Sequence, residues 1–141
     1  MQTCTTTANT MNQDIRWKQR FHNLEKAFLF MERASKQQSF NELEAAGFIQ
    51  SFEFTFELTW KTLKDYLTDQ AFIVQSPRDT IKQAFQSNYL KDGHIWMEML
   101  EQRNLLTHTY SEEQAQAAMK LIRESYFPAI QQAYLFLKER V

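Results

Sequence analysis

Two glycines and two prolines are the whole of the backbone punctuation in a chain of 141 residues. Glycine reaches positive φ without a Cβ clash and proline presets φ for a bend, so together they supply most tight turns. A sheet protein of this length turns back on itself every few residues. Four such residues are too few, which excludes a β-sandwich or barrel. The same scarcity excludes the glycine-rich phosphate loops of dinucleotide or P-loop type. What remains is a chain of long helices with short connections.

The apolar spacing agrees. Phe21, Leu24, Phe28 and Met31 recur at three and four and make one face of a first helix that ends near residues 36–39. Asn41 with Glu44 three residues on reads as a capping box. The helix it opens runs to Asp69 with Phe48, Phe52, Phe56, Trp60, Leu63 and Leu67 in line, and Phe54, Leu58 and Tyr66 widen that stripe. Such a helix is expected at the centre of the fold, in contact with several neighbours. Gly47 near its start is expected to permit a close helix crossing. Ser76–Pro77 reads as N-cap and first helical position, with Asp79 complementing the helix dipole. Ile81, Ala84 and Phe85 give that third helix a short apolar face. A fourth starts at Asp92–Gly93, carries Ile95, Trp96, Met99 and Leu100, and is expected to continue toward Leu106. Ser111 with Gln114 opens the last helix, lined by Ala115, Ala118, Met119, Ile122 and Tyr126. Pro128 should kink it, because apolar spacing resumes at Ala133, Tyr134 and Leu137. The expectation is an all-α, antiparallel up-and-down bundle of four to five helices, one domain over residues 14–141 behind a flexible tail, residues 1–13.

Charge and cysteine narrow the function. Sixteen basic residues face seventeen acidic ones, a net charge of −1, so any nucleic-acid contact must rest on a local patch. The single cysteine, Cys4, cannot form an internal disulfide, and the leader lacks a basic region followed by an apolar one. No apolar run approaches the ~20 residues that span a bilayer. A cytoplasmic protein is expected. His22 and His94 lack the spacing of a zinc site, so no metal and no cofactor is expected.

The segment richest in chemistry is RNLLTHTY, Arg103 to Tyr110. On a straight helix Arg103 and His108 would point about 140° apart. The capping box at Ser111 implies a turn between them, and a turn lets the imidazole fold back toward the guanidinium. His108 and Tyr110, two apart, share a side in extended chain. A polar cluster at a helix–turn–helix corner accounts for the spacing. Plainer readings stand beside it: Arg103 paired with Glu98 or Glu101, His108 capping a helix end, Tyr110 stapling against Ala115. The row Glu53, Glu57, Lys61 and Lys64 reads as a solvated or interface face, with Glu57–Lys61 in the favoured ion-pair orientation.

The motif and two longer segments resemble the HEPN superfamily and, within it, the HepT-type toxins, formerly described as nucleotidyltransferase substrate-binding proteins. Arg103, Asn104 and His108 match the superfamily's Arg-polar-…-His pattern, and Tyr110 matches the tyrosine that the HepT group adds two residues later. GFIQSFEFTFELTWKTLKDYL, from Gly47 to Leu67, is similar to the family's long central helix, and SPRDTIKQAF, from Ser76 to Phe85, to its next helix start. The likeness runs from about Trp17 to the C-terminus. It implies an all-helical homodimer with the two motifs facing each other across a cleft, acting as a metal-independent ribonuclease. It also implies the toxin half of a type VII toxin–antitoxin pair. The partner would be an MntA-type minimal nucleotidyltransferase that moves AMP from ATP onto the motif tyrosine. Carried over, Arg103 and His108 become catalytic candidates, Asn104 a supporting residue and Tyr110 the AMP acceptor. RNA, tRNA or mRNA, becomes the substrate class, with Arg78 and Lys82 as candidate phosphate contacts. The older description implies the alternative, a non-catalytic subunit that presents a substrate or nucleotide to the nucleotidyltransferase.

Overall fold

The computed structural model describes residues 2–104, 109 and 111–141, with side chains from residue 12 onward. Among the described residues there are six helices and no strand: α1 Gln2–Ser35, α2 Glu42–Asp69, α3 Pro77–Gln86, α4 Gly93–Glu101, α5 Glu112–Leu121 and α6 Phe127–Lys138. A π-helical turn, Ile122–Tyr126, joins α5 to α6 without a break.

Helix starts lie where the local chemistry places them. Asn41 Oδ1 accepts from the Glu44 amide at 2.8 Å while Glu44 accepts from the Asn41 amide at 2.9 Å. Ser111 and Gln114 repeat that exchange at 3.1 Å each way. Ser76 caps α3 through the Asp79 amide, and Asp92 caps α4 through the Ile95 amide. Each cap satisfies a donor that the first turn of a helix leaves open, worth about 1 kcal/mol.

α1 and α2 form an antiparallel hairpin: Arg20 reaches Asp65 at 2.6 Å, and further along α1 Ala27 lies against Thr55. α6 closes over them. Tyr134 stacks on Phe28 at 4.3 Å and on Phe21 at 5.6 Å, and its hydroxyl donates to Glu25, which Lys138 also reaches. Phe52 stacks on Tyr126 of the π turn, and Phe56 packs at a tilt on Trp96 of α4. All of these rings are buried, and each contributes about 1.5–3 kcal/mol. Along α2, Thr55, Thr59 and Thr62 are also buried. Their hydroxyls donate to carbonyls one turn back, at 2.6–2.7 Å, so none of the three is stranded in the core.

Several expectations change. The leader read as a flexible tail, residues 1–13, has helical backbone from Gln2 and is continuous with α1; it contains no glycine or proline to interrupt the ladder. α4 ends at Glu101 rather than continuing toward Leu106, which lies outside the described residues. Phe54 does not widen the buried stripe of α2: it is 61% exposed. Phe85 is also largely exposed, its ring lying across Gly93, where a Cβ would come within 3.0 Å of it. Gly47 serves no close crossing, since a Cβ there would meet nothing within 4 Å. Glu57 takes the Trp60 indole at 2.9 Å, and no Glu57–Lys61 bridge forms among the described residues. The disturbance expected at Pro128 is the π turn just before it. Proline has no N–H to give, and its ring crowds the carbonyl four residues back. The ladder widens there so that the Phe127 amide bonds to Ile122, five residues back.

Candidate functional site

Arg103 stands just past the end of α4, after the capping Gln102, whose amide bonds to the Glu98 carbonyl. A cation at that end is favoured by the negative pole of the helix. Arg78 stands in the first turn of α3, behind the Ser76 cap. Their sequence separation hides a close relation: both line one cleft of about 290 Å³, floored by Met97 and Leu100 and edged by Ser76, Pro77 and Glu101. α3 and α4 pack together, so the start of one meets the end of the other.

Both guanidiniums are exposed, and neither is held by a carboxylate among the described residues. The pairing of Arg103 with Glu98 or Glu101 does not form. Glu98 instead accepts from the buried Tyr126 hydroxyl at 3.1 Å. Burial of that phenol and the carboxylate beside it push its ionisation far above the ordinary tyrosine range. Tyr126 therefore remains a donor and keeps Glu98 occupied. The cleft thus offers two permanent cations, the positive pole of α3 and an apolar floor, against one acid, Glu101. A phosphodiester, with planar oxygen pairs for a guanidinium fork and a base to lay on the floor, fits that arrangement.

Asn104 is exposed in the turn after Arg103. Lys82 is exposed one turn beyond Arg78 on α3 but does not line the cleft. His108 and Tyr110 lie outside the described residues. Thr109, between them, lines a second cavity of about 430 Å³ with Phe40, Asn41, Ala45, Ile49, Ser111 and Ala115. The starts of α2 and α5 meet there, but both have their first donors taken by capping boxes, and Glu42 and Glu112 stand at the rim. Among the described residues this cavity is lined by two acids and no base, the other by two arginines and one acid. The sequence reading missed both linings, because nothing in local spacing says that α3 meets α4 or that residue 109 meets α2. His22 and His94 are exposed on separate helices, and among the described residues no three His, Cys, Asp or Glu side chains gather as metal ligands. No helix among them is long and apolar enough to cross a membrane.

Comparison with known proteins places this geometry. The family model described as "nucleotidyltransferase substrate binding protein like" matches residues 19–139. A Haemophilus influenzae protein named "Probable ribonuclease HepT" is 32% identical over 77 residues; the match covers 51% of this chain and 53% of that protein, so the chain spans about half the length of this curated relative. A Thermus thermophilus protein of known crystal structure superposes with a TM-score of 0.72 at 28% identity, over 82% of this chain and 97% of its own. A second solved structure, from Haemophilus influenzae, superposes with a TM-score of 0.59 at 23% identity, over 89% of this chain and 98% of its own. It is described as revealing the fold of a substrate-binding domain of a nucleotidyltransferase, and at that identity it speaks for the fold alone.

Proposed function

The chain belongs to the nucleotidyltransferase substrate-binding protein-like family, the HepT-type group of the HEPN superfamily, and from that premise we propose that it is a metal-independent ribonuclease toxin silenced by a nucleotidyltransferase partner. The observation that carries the reading is the shared cleft: Arg103, the first residue of the family motif, lines it together with Arg78, and neither is paired with an acid among the described residues.

RNA brings its own nucleophile. In this reading His108 takes the proton of a 2′-hydroxyl, whose oxygen attacks the adjacent phosphorus while the bond to the 5′-oxygen breaks. The products are a 2′,3′-cyclic phosphate and a 5′-hydroxyl. Arg103 neutralises the charge that grows on the non-bridging oxygens, and Asn104 orients the phosphate. The leaving oxygen needs a proton, and the His108 of a second copy supplies it, which makes the homodimer part of the mechanism. Arg78, and further along the strand Lys82, hold neighbouring phosphates. Regulation runs through Tyr110: its phenolic oxygen attacks the α-phosphorus of ATP on the partner, pyrophosphate leaves, and the AMP put in place adds bulk and negative charge beside Arg103.

The test is cleavage of cellular RNA, tRNA included, in the presence of a chelator. Wild type is expected to cut, with Arg103→Ala and His108→Ala slower by about 10²-fold or more. RNA left intact by wild type overturns the nuclease reading in favour of a non-catalytic subunit that presents a substrate to a nucleotidyltransferase. Equal cutting by the variants overturns the site. Intact mass after incubation with the partner and ATP tests Tyr110: an AMP adduct is expected on wild type and not on Tyr110→Phe.

A further inference from the structure

α5 carries a row of side chains that the proposed mechanism leaves unused. Glu112, Gln116 and Lys120 are exposed and follow one another every fourth residue, so they share one face of the helix, each about 6 Å further along its axis. Gln116 joins two cavities. On one side it lines the cavity of about 430 Å³ that holds Thr109, the residue between His108 and Tyr110. On the other it lines a cavity of about 400 Å³ with Ala117, Lys120, Arg123 and Glu124.

The two cavities differ in chemistry. Phe40, Ala45, Ile49 and Ala115 wall the first, and Glu42 and Glu112 are its charged residues among those described. Apolar walls take a flat ring, and carboxylates at the edge accept from N–H groups on that ring. The second cavity sets two cations against one acid, and neither cation forms an ion pair among the described residues. Arg123 is fixed in place on the π turn. Its Nη2 donates to the Gln37 carbonyl at 2.7 Å, and its guanidinium lies over the rings of Phe40 and Phe48 at 4.9 and 5.5 Å. Its Nε is buried with no hydrogen-bond partner, so the carbonyl and the rings do not use up this cation. Phe40 therefore belongs to both cavities: its ring meets Arg123 and also lines the space at Thr109.

A ring bearing amino groups, joined to an anion, is the outline of a nucleotide. We infer that the α5 face holds a nucleotide subsite beside the motif: an amino-bearing base enters the cavity at Thr109, with Glu42 and Glu112 at its edge, and its phosphate lies on Lys120 and Arg123. Guanine fits best, because its N1–H and 2-amino group meet one carboxylate side by side. Adenine and cytosine offer one amino group, and uracil, with two carbonyls, is the poorest match. The subsite shares no lining residue with the Arg78–Arg103 cleft among those described. It deepens the proposed function and rests on that reading only for the source of the nucleotide, a residue of the RNA strand or the adenylate on Tyr110.

Calorimetric titration of the full chain with guanosine, adenosine and uridine 5′-monophosphates tests this without any cleavage. Guanosine monophosphate is expected to saturate the protein, and uridine monophosphate to bind at least ~5-fold more weakly, the discrimination that one good base contact gives. Glu42→Gln combined with Glu112→Gln should erase that preference. Lys120→Ala should weaken all three nucleotides by a common factor of about 5. These three positions are exposed, so the variants are expected to melt with wild type. Arg78→Ala and Arg103→Ala should leave nucleotide binding unchanged. No saturable binding by about 10 mM overturns the inference. So does equal affinity for the three nucleotides, or binding that falls with Arg103→Ala and not with Lys120→Ala. Two arms separate the sources. A guanine-rich position at the ends of cleaved RNA, levelled by the double glutamate change, assigns the subsite to the RNA strand. Loss of added-nucleotide binding on protein carrying AMP at Tyr110 assigns it to the adenylate. Neither result, in a protein that cuts RNA and accepts AMP, overturns the subsite. A protein that leaves RNA intact but binds these nucleotides as expected upholds the subsite and sinks the ribonuclease, and one that cuts RNA but binds none does the reverse.

Discussion

The clasp of α1, α2 and α6 and the corner where α3 meets α4 treat polar groups in opposite ways. In the clasp the charges near the rings have partners. Arg20 meets Asp65, and Glu25 holds the Tyr134 hydroxyl and Lys138 above a stack of buried rings. At the corner Arg78 and Arg103 share a cleft with one acid, Glu101, neither forms an ion pair among the described residues, and Glu98 is taken by Tyr126. Partnered charge anchors a fold. Like charge without an acidic partner among the described residues is left available to an anion, as the proposed function requires. The two regions should therefore respond differently to the same kind of change.

The largest effect is expected in the clasp. Phe52→Ala removes a ring with no exposure that stacks on Tyr126, and should cost about 3–5 kcal/mol in urea denaturation. An undiminished unfolding midpoint would break the contrast at its stronger end. Next comes Arg103→Ala, expected to slow RNA cleavage about 10²-fold while leaving stability in urea within about 0.5 kcal/mol of wild type. Loss of stability and activity together would show that the arginine is structural. Arg78→Ala should weaken RNA binding about tenfold and lower the salt dependence of binding by about 0.7 in log–log slope, the share of one phosphate contact on a single strand. An unchanged slope would remove Arg78 from the interface.

The smallest effect is a pH dependence in the clasp. The Tyr134 hydroxyl, then Lys138, hold the Glu25 carboxyl below its ordinary value of 4.5. A depressed carboxylate contributes stability above the unfolded value and loses it as pH falls through the folded one. Acidification from about pH 5 toward about pH 3 should therefore destabilise wild type more than Glu25→Gln, read from urea midpoints at each pH. Parallel curves for the two proteins would show that the clasp draws nothing from this carboxylate.

How much of this was legible in the sequence differs by feature. The caps at Asn41, Ser76 and Ser111 were, because a cap is an exchange between residues three apart, and Asp92 was legible as a boundary, though not as the cap it forms. The family was legible in its motif and its two long segments, and the family match over residues 19–139 bears it out. The buried line Phe48, Phe52 and Phe56 was legible as well, but the width of the stripe was not. Phe52 and Phe56 are buried and Phe54 is not, although all three suit a helix that touches neighbours on several sides. Periodicity finds the direction of a stripe, but its width depends on how many helices pack around it. The cleft was half legible: Arg103 and Arg78 were each singled out, but their meeting was not, since it depends on α3 lying beside α4.

Local rules accordingly decided the class of fold, the helix starts and the candidate residues. They act through sterics and hydrogen bonds between near neighbours, and with only two glycines and two prolines there was little else the backbone could do. Tertiary packing decided what those rules leave free: that two distant arginines line one cleft, that Glu98 turns to Tyr126 rather than to Arg103, and that Phe54 and Gly47 look outward. These depend on which helix faces fit against each other, and that fit is a property of whole surfaces brought together across the chain.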